Sequence, residues 1–202
     1  MLLSGIGEYY CSLQLQKKEL TVNTTIRDQC FYEEFFGFVP DISTISMSMG
    51  YRDFNCPIVR PKGISVNLVW DVCKKRFKCW QYDGFDLESL LRESERGEMK
   101  ETSVRFFRTC VEADEETKNR SVNDIARLRG ITLLERLIME LKYFSETGEH
   151  LDIESWTLCS GSRFSDGSVP CVFYAPPSGS VGVCARDAND RNDHLRARGT
   201  IW

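Results

Sequence analysis

The chain has 202 residues, 42% of them hydrophobic and 28% charged, with a formal net charge of −4. That length suits one domain, and the apolar content is too high for disorder and enough for a core that needs no disulfides. The mild acidity supplies no field to gather nucleic acid, and no apolar run approaches the roughly 18 residues of a membrane span.

Residues 1–20 place Leu2, Leu3, Ile6, Tyr9, Tyr10 and Leu13 at helical spacing, interrupted by two glycines. The opening MLLSGIGEYYC has neither the basic nor the long apolar region of a signal peptide, so the expected compartment is cytoplasmic. CFYEEFFGFVPD carries five aromatics between Phe31 and Phe38 and reads as a short helix stopped by Gly37 and Pro40. Its rings serve either as core or as an exposed patch for a protein partner. ISTISMSM alternates as a strand over 42–49. In ISVNLVWDV, Ile64, Val66, Leu68, Trp70 and Val72 alternate with Ser65, Asn67 and Asp71, leaving Val69 as the exception. This predicts a strand open to water or ligand on one face, and with KKR and FKCWQY a hairpin over 64–82.

Residues 86–129 are charged and poor in Gly and Pro, which predicts a helical excursion. Asp86 is the N-cap of its first helix, Val104, Phe107, Cys110 and Val111 form the stripe of the next, and Ser121 with Asp124 caps a third ending at Gly130. Its outer face, with Glu115 and Glu116, is a docking surface for a protein partner. A helix over 132–146 follows, with Thr132 and Glu135 as a capping box and Gly148 as its left-handed stop. Leu133, Leu134, Leu137, Ile138, Leu141 and Phe144 mark its core face. Strands over 156–160, 169–174 and 180–185, separated by Ser165-Asp166-Gly167 and Pro176-Pro177-Ser178-Gly179, predict an antiparallel meander against that helix. The tail is polar until Ile201 and Trp202, whose burial would anchor it. The fold class expected is therefore α+β: one domain, with an antiparallel sheet packed by the 132–146 helix and an excursion at 86–129.

Nine cysteines, at 11, 30, 56, 73, 79, 110, 159, 171 and 184, include no CxxC pair. An odd count in a chain of this length does not suit a secreted disulfide framework, and the spacing does not suit zinc. Most read as reduced, buried thiols. His150 and His194 are the two histidines. A Cys–His pair is possible on paper, with Cys159 or Cys184 as nucleophile and His194 as base. CSGSR at 159–163 has three residues between Cys159 and Arg163, too few to wrap a phosphate as a cysteine loop does, and no helix follows it. Arg163 then reads as a structural arginine holding turn carbonyls or a helix carboxylate, with anion recognition as the alternative. Asp187, Asp190 and Asp193 lack the glycine and glutamate of a calcium loop. With Arg186, Arg191, Arg196 and Arg198 they predict an exposed, salt-bridged face. No nucleotide, dinucleotide, zinc-protease or serine-hydrolase motif occurs, so no cofactor and no metal is expected.

From residue 64 onward, GITLLERLI and the GSR-x-x-DG-x-VP turn and strand form a pattern carried by Gly130, Thr132, Glu135, Gly161, Ser162, Arg163, Val169 and Pro170. It resembles a family of uncharacterised bacterial proteins known as a domain of unknown function, in pieces over roughly residues 64–185. The resemblance implies a cytoplasmic α+β domain and no established activity. The longer charged block at 86–120 and the tail depart from it. The function expected is a non-enzymatic protein-binding or regulatory module, working through the 86–129 helices or the 31–38 aromatics. The alternative is a small hydrolase or transferase dependent on a cysteine or an arginine, with Cys159, Arg163 and His194 as its candidate residues.

Overall fold

The computed structural model describes residues 27–42, 45, 53–81, 86–95 and 97–201. Residues 27–36 are helical (α1). There follow β1 (Cys56–Arg60), α2 (Val66–Arg76), β2 (Cys79–Gln81), α3 (Leu87–Leu90), β3 (Ser103–Phe107) and α4 (Leu133–Thr147). β4 (Trp156–Leu158), β5 (Val169–Ala175), β6 (Ser180–Arg186) and β7 (Leu195–Ala197) complete the order. β1 and β3 pair antiparallel as a small sheet, and the other strands form a five-stranded sheet ordered β2-β6-β5-β4-β7. The fold is α+β. The expected meander is the antiparallel centre of the larger sheet, while β2 and β7 join its edges in parallel.

The α4 helix forms where its sequence says it should. The Thr132 hydroxyl accepts from the Glu135 amide, the Glu135 carboxylate accepts from the Thr132 amide, and Gly148 closes the helix at φ 74°. Leu133, Leu137, Ile138 and Leu141 are wholly buried. They share one core with α2, both strands of the small sheet and the inward residues Val172, Val181 and Val183 of the larger one. Leu137→Ala should therefore cost about 2–5 kcal/mol by leaving a cavity. An unchanged urea midpoint would show that this face does not carry the core.

The motifs GIT and GSR meet at the start of α4. The Gly161 amide donates to the Ile131 carbonyl, and the Leu133 amide, an orphan donor of the first turn, donates to the Ser162 hydroxyl. A Cβ on Gly161 would lie 2.4 Å from the Gly130 carbonyl oxygen, so the backbones touch only because both residues are glycine. These residues form a structural joint.

Three expectations are corrected. Residues 64–72 do not form a strand, and 64–82 is not a hairpin: Ser65 accepts from the Leu68 amide and starts α2. Val66, Val69, Trp70 and Cys73 are buried on its inner side, while Leu68, assigned inward as a strand residue, is 40% exposed. Val69 broke the alternation because the true period is helical. Lys74, Lys75 and Arg76 then lie in the last turn, where their charges complement the helix dipole. The 64–72 segment thus offers no half-open sheet face.

The 86–129 excursion is also not a set of helices. Asp86 does cap α3, accepting from the Glu88 and Ser89 amides, but α3 is four residues long. Val104 and Phe107 belong to β3, with Phe106 buried beside them. Ser121 and Asp124 exchange capping hydrogen bonds, yet the chain continues as turns. The segment is extended because its backbone finds partners in β1, Ile201 and Ala197. The helical docking face expected there does not exist, although Glu115 and Glu116 are exposed.

The tail, finally, is a solvated charged face only in part: Asp187, Arg191 and Asp193 are exposed and Arg191 pairs with Asp124, but β7 lies in the sheet and Gly199 and Ile201 form bridges to Gly130 and Phe106. The rings at 31–38 turn largely inward, with Phe31 and Tyr32 buried and Phe36 and Phe38 packed against them. The readings of 1–20, of most of 42–49 and of Trp202 fall outside the described residues.

Candidate functional site

β2 pairs in parallel with Val181–Val183 of β6. Among the described residues no strand pairs with this edge of β6 beyond Val183. A cleft of about 650 Å³ opens there, between β6, α3 and the Phe164–Asp166 turn. The turn is fastened to α3 by the Leu91–Phe164 bridge and by the Ser165 amide donating to the Leu90 carbonyl. Leu87, Leu90 and Phe164 give one wall, and Trp80, Trp156 and Phe173 line the other. Phe173 stacks on Trp156 with centroids 4.5 Å apart and planes at 21°, and Trp80 lies 6.2 Å from Phe173. Gly182 stands opposite Phe173 in the ladder, and a Cβ there would come 2.4 Å from its ring. Glycine lets the ring lie over the strand.

The polar groups of the cleft are few. The Asp166 carboxylate accepts from the Ser168 amide and hydroxyl, which hold its pKa below the usual value. The Arg186 guanidinium sits 4.8 Å over the Trp156 ring. Cys184, half-buried, opens on the cleft beside it. A hydrogen bond from the Cys171 thiol, helped by Arg186, draws the Cys184 thiol down to about 7 against the effect of burial. Burial pushes Cys171 well up.

The structure does not bring Cys159, Arg163 and His194 together. Cys159 is fully buried just past the end of β4, where burial pushes its thiol far above the ordinary range. Such a thiol is a poor nucleophile. Arg163 donates through Nη1 to the carbonyls of Ser160 and Ser162, at 3.0 and 2.7 Å. Burial and the neighbouring charge of Arg92 lower its pKa. His194 is exposed at the other end of β4, its Nδ1 3.2 Å from the Glu154 carbonyl oxygen. A three-residue strand separates it from Cys159, roughly 10 Å at 3.3 Å per residue. Among the described residues no three metal-ligating side chains converge, and no helix is long and apolar enough to cross a membrane.

Trp80, Trp156, Phe173, Cys184 and Arg186 escaped the sequence reading as a group. Only the hairpin offered a signal. Cys171 and Cys184 lie equally far from the PPSG turn and are cross-strand partners. The contribution of α3 and of β2 depends on tertiary contacts with no local signature.

A second polar cluster lies inside the core. Arg136 and Arg198 are wholly or almost wholly buried, and Asp152 bridges them at 2.7 and 2.6 Å. Arg136 also pairs with Glu140 at 2.7 Å, and Glu140 meets His150 Nδ1 at 2.8 Å. Thr157 donates to Asp152, and the carbonyls of Cys110 and Val111 accept from Arg198. Every charge here faces a partner, which is the condition for burying it. The cluster is closed, and its role is architectural.

Comparison of the chain with protein-family models, curated proteins and solved structures gives no significant match.

Proposed function

We propose that this chain is a binding protein and that its ligand is a flat, largely apolar small molecule held in the cleft beside the end of β6. The observation that carries this reading is the cleft itself. Its volume of about 650 Å³ lies within the range of small-molecule sites, and its walls combine aromatic and aliphatic surface with one cation. Stacked rings at Trp156 and Phe173 suit a planar ligand, and Arg186 supplies a counter-charge for an acidic or acceptor group on its rim. The inward packing of the 31–38 rings leaves that segment little surface for a protein partner, which favours the cleft over the aromatic patch. A cytoplasmic location, read from the cysteines, is part of the same proposal.

Anilinonaphthalene sulfonate, an anion with a flat naphthalene ring and a largely apolar surface, is a suitable probe. It should bind saturably with one site per chain. Trp80 is 44% exposed, so Trp80→Ala should fold normally. Loss of one aromatic contact, about 0.5–1.5 kcal/mol, should weaken binding roughly two- to tenfold. Non-saturating binding, or equal binding by Trp80→Ala and Phe173→Ala, would overturn the assignment.

A further inference from the structure

The β5–β6 ladder sets Cys171 directly opposite Cys184. Both side chains point away from α4. Val172 and Val183, their neighbours in the strands, enter the main core, whereas Cys171 and Cys184 pack with Leu158 and Val169 on the other side of the sheet. The Val181 amide donates outward to the Lys78 carbonyl, so the alternating backbone groups at 182 and 184 turn toward β5. Cys171 and Cys184 are therefore a hydrogen-bonded cross-strand pair, with Cα atoms about 5.5 Å apart, inside the 4.4–6.8 Å that a disulfide spans. The two thiols are near enough to shift each other's pKa in opposite directions. One thiol is open to the cleft and its partner lies buried behind it. Arg186, two residues along the same face, borders the open thiol and the cleft.

We propose that Cys184 and Cys171 are a redox-active dithiol, with Cys184 as the attacking group and Cys171 as the resolving one, oxidised by an organic hydroperoxide that enters the cleft. The Cys184 thiolate attacks the terminal peroxide oxygen. The O–O bond breaks, and the alkoxide departs as an alcohol after taking a proton, leaving Cys184 as a sulfenic acid. Arg186 stands where charge develops on the departing oxygen. Cys171 then gives up its proton and attacks the Cys184 sulfur. The S–O bond breaks and hydroxide leaves as water. Two thiols have lost two electrons and two protons, and the hydroperoxide has become an alcohol and water. Directly opposed Cβ atoms start about 4.5–5.5 Å apart and a disulfide needs 3.5–4.5 Å, so closing the bond draws the strands together. A disulfide under such tension is readily reduced by an external dithiol, which makes the couple reversible. The dithiol rests on the strand register, and the entry of the hydroperoxide rests on the cleft.

The test is to treat the reduced full-length protein with cumene hydroperoxide, alkylate the remaining thiols and map the peptides by mass spectrometry. The expected product is a Cys171–Cys184 cross-linked peptide that dithiothreitol reverses. Cys184→Ser should abolish it. Cys171→Ser should stop at a Cys184 sulfenic acid that dimedone traps, a product expected even if the disulfide itself is too strained to accumulate. The rate of Cys184 alkylation should rise through pH about 7 rather than about 8.5. At neutral pH it should exceed that of an unperturbed thiol about threefold, once the lower nucleophilicity of a low-pKa sulfur is allowed for. Oxidation of the exposed Cys30 and Cys110 with no cross-link and no dimedone adduct at Cys184 would overturn the proposal.

Discussion

Replacing Asp152 by alanine is expected to cost about 3–5 kcal/mol, a large share of the stability of a domain this size. Its carboxylate is the shared partner of Arg136 and Arg198, and all three side chains lie out of water. Without it, Arg136 keeps only Glu140 and Thr157, and Arg198 keeps Thr157 and two carbonyls. Asp152 also adopts φ 56°, a conformation that aspartate and asparagine tolerate better than alanine. Asp152→Asn separates the two effects: it preserves the backbone and the shape, so the loss that remains reports the charge. Urea denaturation gives the size of each. A loss below about 1 kcal/mol in both variants would show that the arginines find water instead. Arg198→Met in the Asp152→Ala background should restore part of the loss, because it removes one stranded charge.

The same residue sets an acid limit. Burial alone would raise the Asp152 pKa, but the charges of Arg198 and Arg136 outweigh it and hold the carboxyl below its usual value. A group depressed in the folded state gives its full stabilisation above the unfolded value, about 3.9, and loses it as pH falls through the folded one. Wild-type stability should thus fall steeply below about pH 4, and Asp152→Asn should flatten that limb. An unchanged acid limb in Asp152→Asn would assign acid unfolding to other carboxylates.

What the sequence made legible was what local chemistry decides. Thr132, Glu135 and Gly148 define α4 because capping involves only neighbours in the chain. The PPSG turn defines the β5–β6 hairpin for the same reason. Residues 64–76 misled because Ile64, Val66, Leu68, Trp70 and Val72 alternate as in a strand, and only burial against α4 chose the helical period. Residues 103–107 misled in the opposite sense: a charged, glycine-poor stretch became β3 because β1, far back in the chain, offered its edge. The cleft was illegible for a related reason. Its walls come from β2, α3, β4, β5, β6 and a turn, and no sequence window contains them together. Arg198 reads as solvated in a run of alternating charges, and only the fold carries it to Asp152.

Glu135 joins the helix to the small sheet, and its removal should cost nearly as much as that of Asp152. One oxygen accepts the Thr132 amide at 2.8 Å and closes the capping box. The other lies 3.2 Å from Arg60 Nε and 3.3 Å from Arg105 Nε. The ladder explains this convergence, because Arg60 on β1 and Arg105 on β3 are diagonal neighbours on the face turned to α4. Burial and the like charge of Arg105 push the Arg60 pKa down, and Glu135 opposes them. Capping alone is worth about 1 kcal/mol, which is the loss expected for Thr132→Ala. Glu135→Gln keeps an acceptor for the Thr132 amide but leaves two guanidiniums facing each other, so it should lose about 3 kcal/mol or more. Glu135→Ala should lose about 1 kcal/mol beyond that. The ordering Thr132→Ala, Glu135→Gln, Glu135→Ala in urea midpoints is the signature of an ion pair buried between two layers. Were Glu135→Gln to match Thr132→Ala, the carboxylate would be acting as a cap alone, and the small sheet would be held to α4 by its apolar contacts.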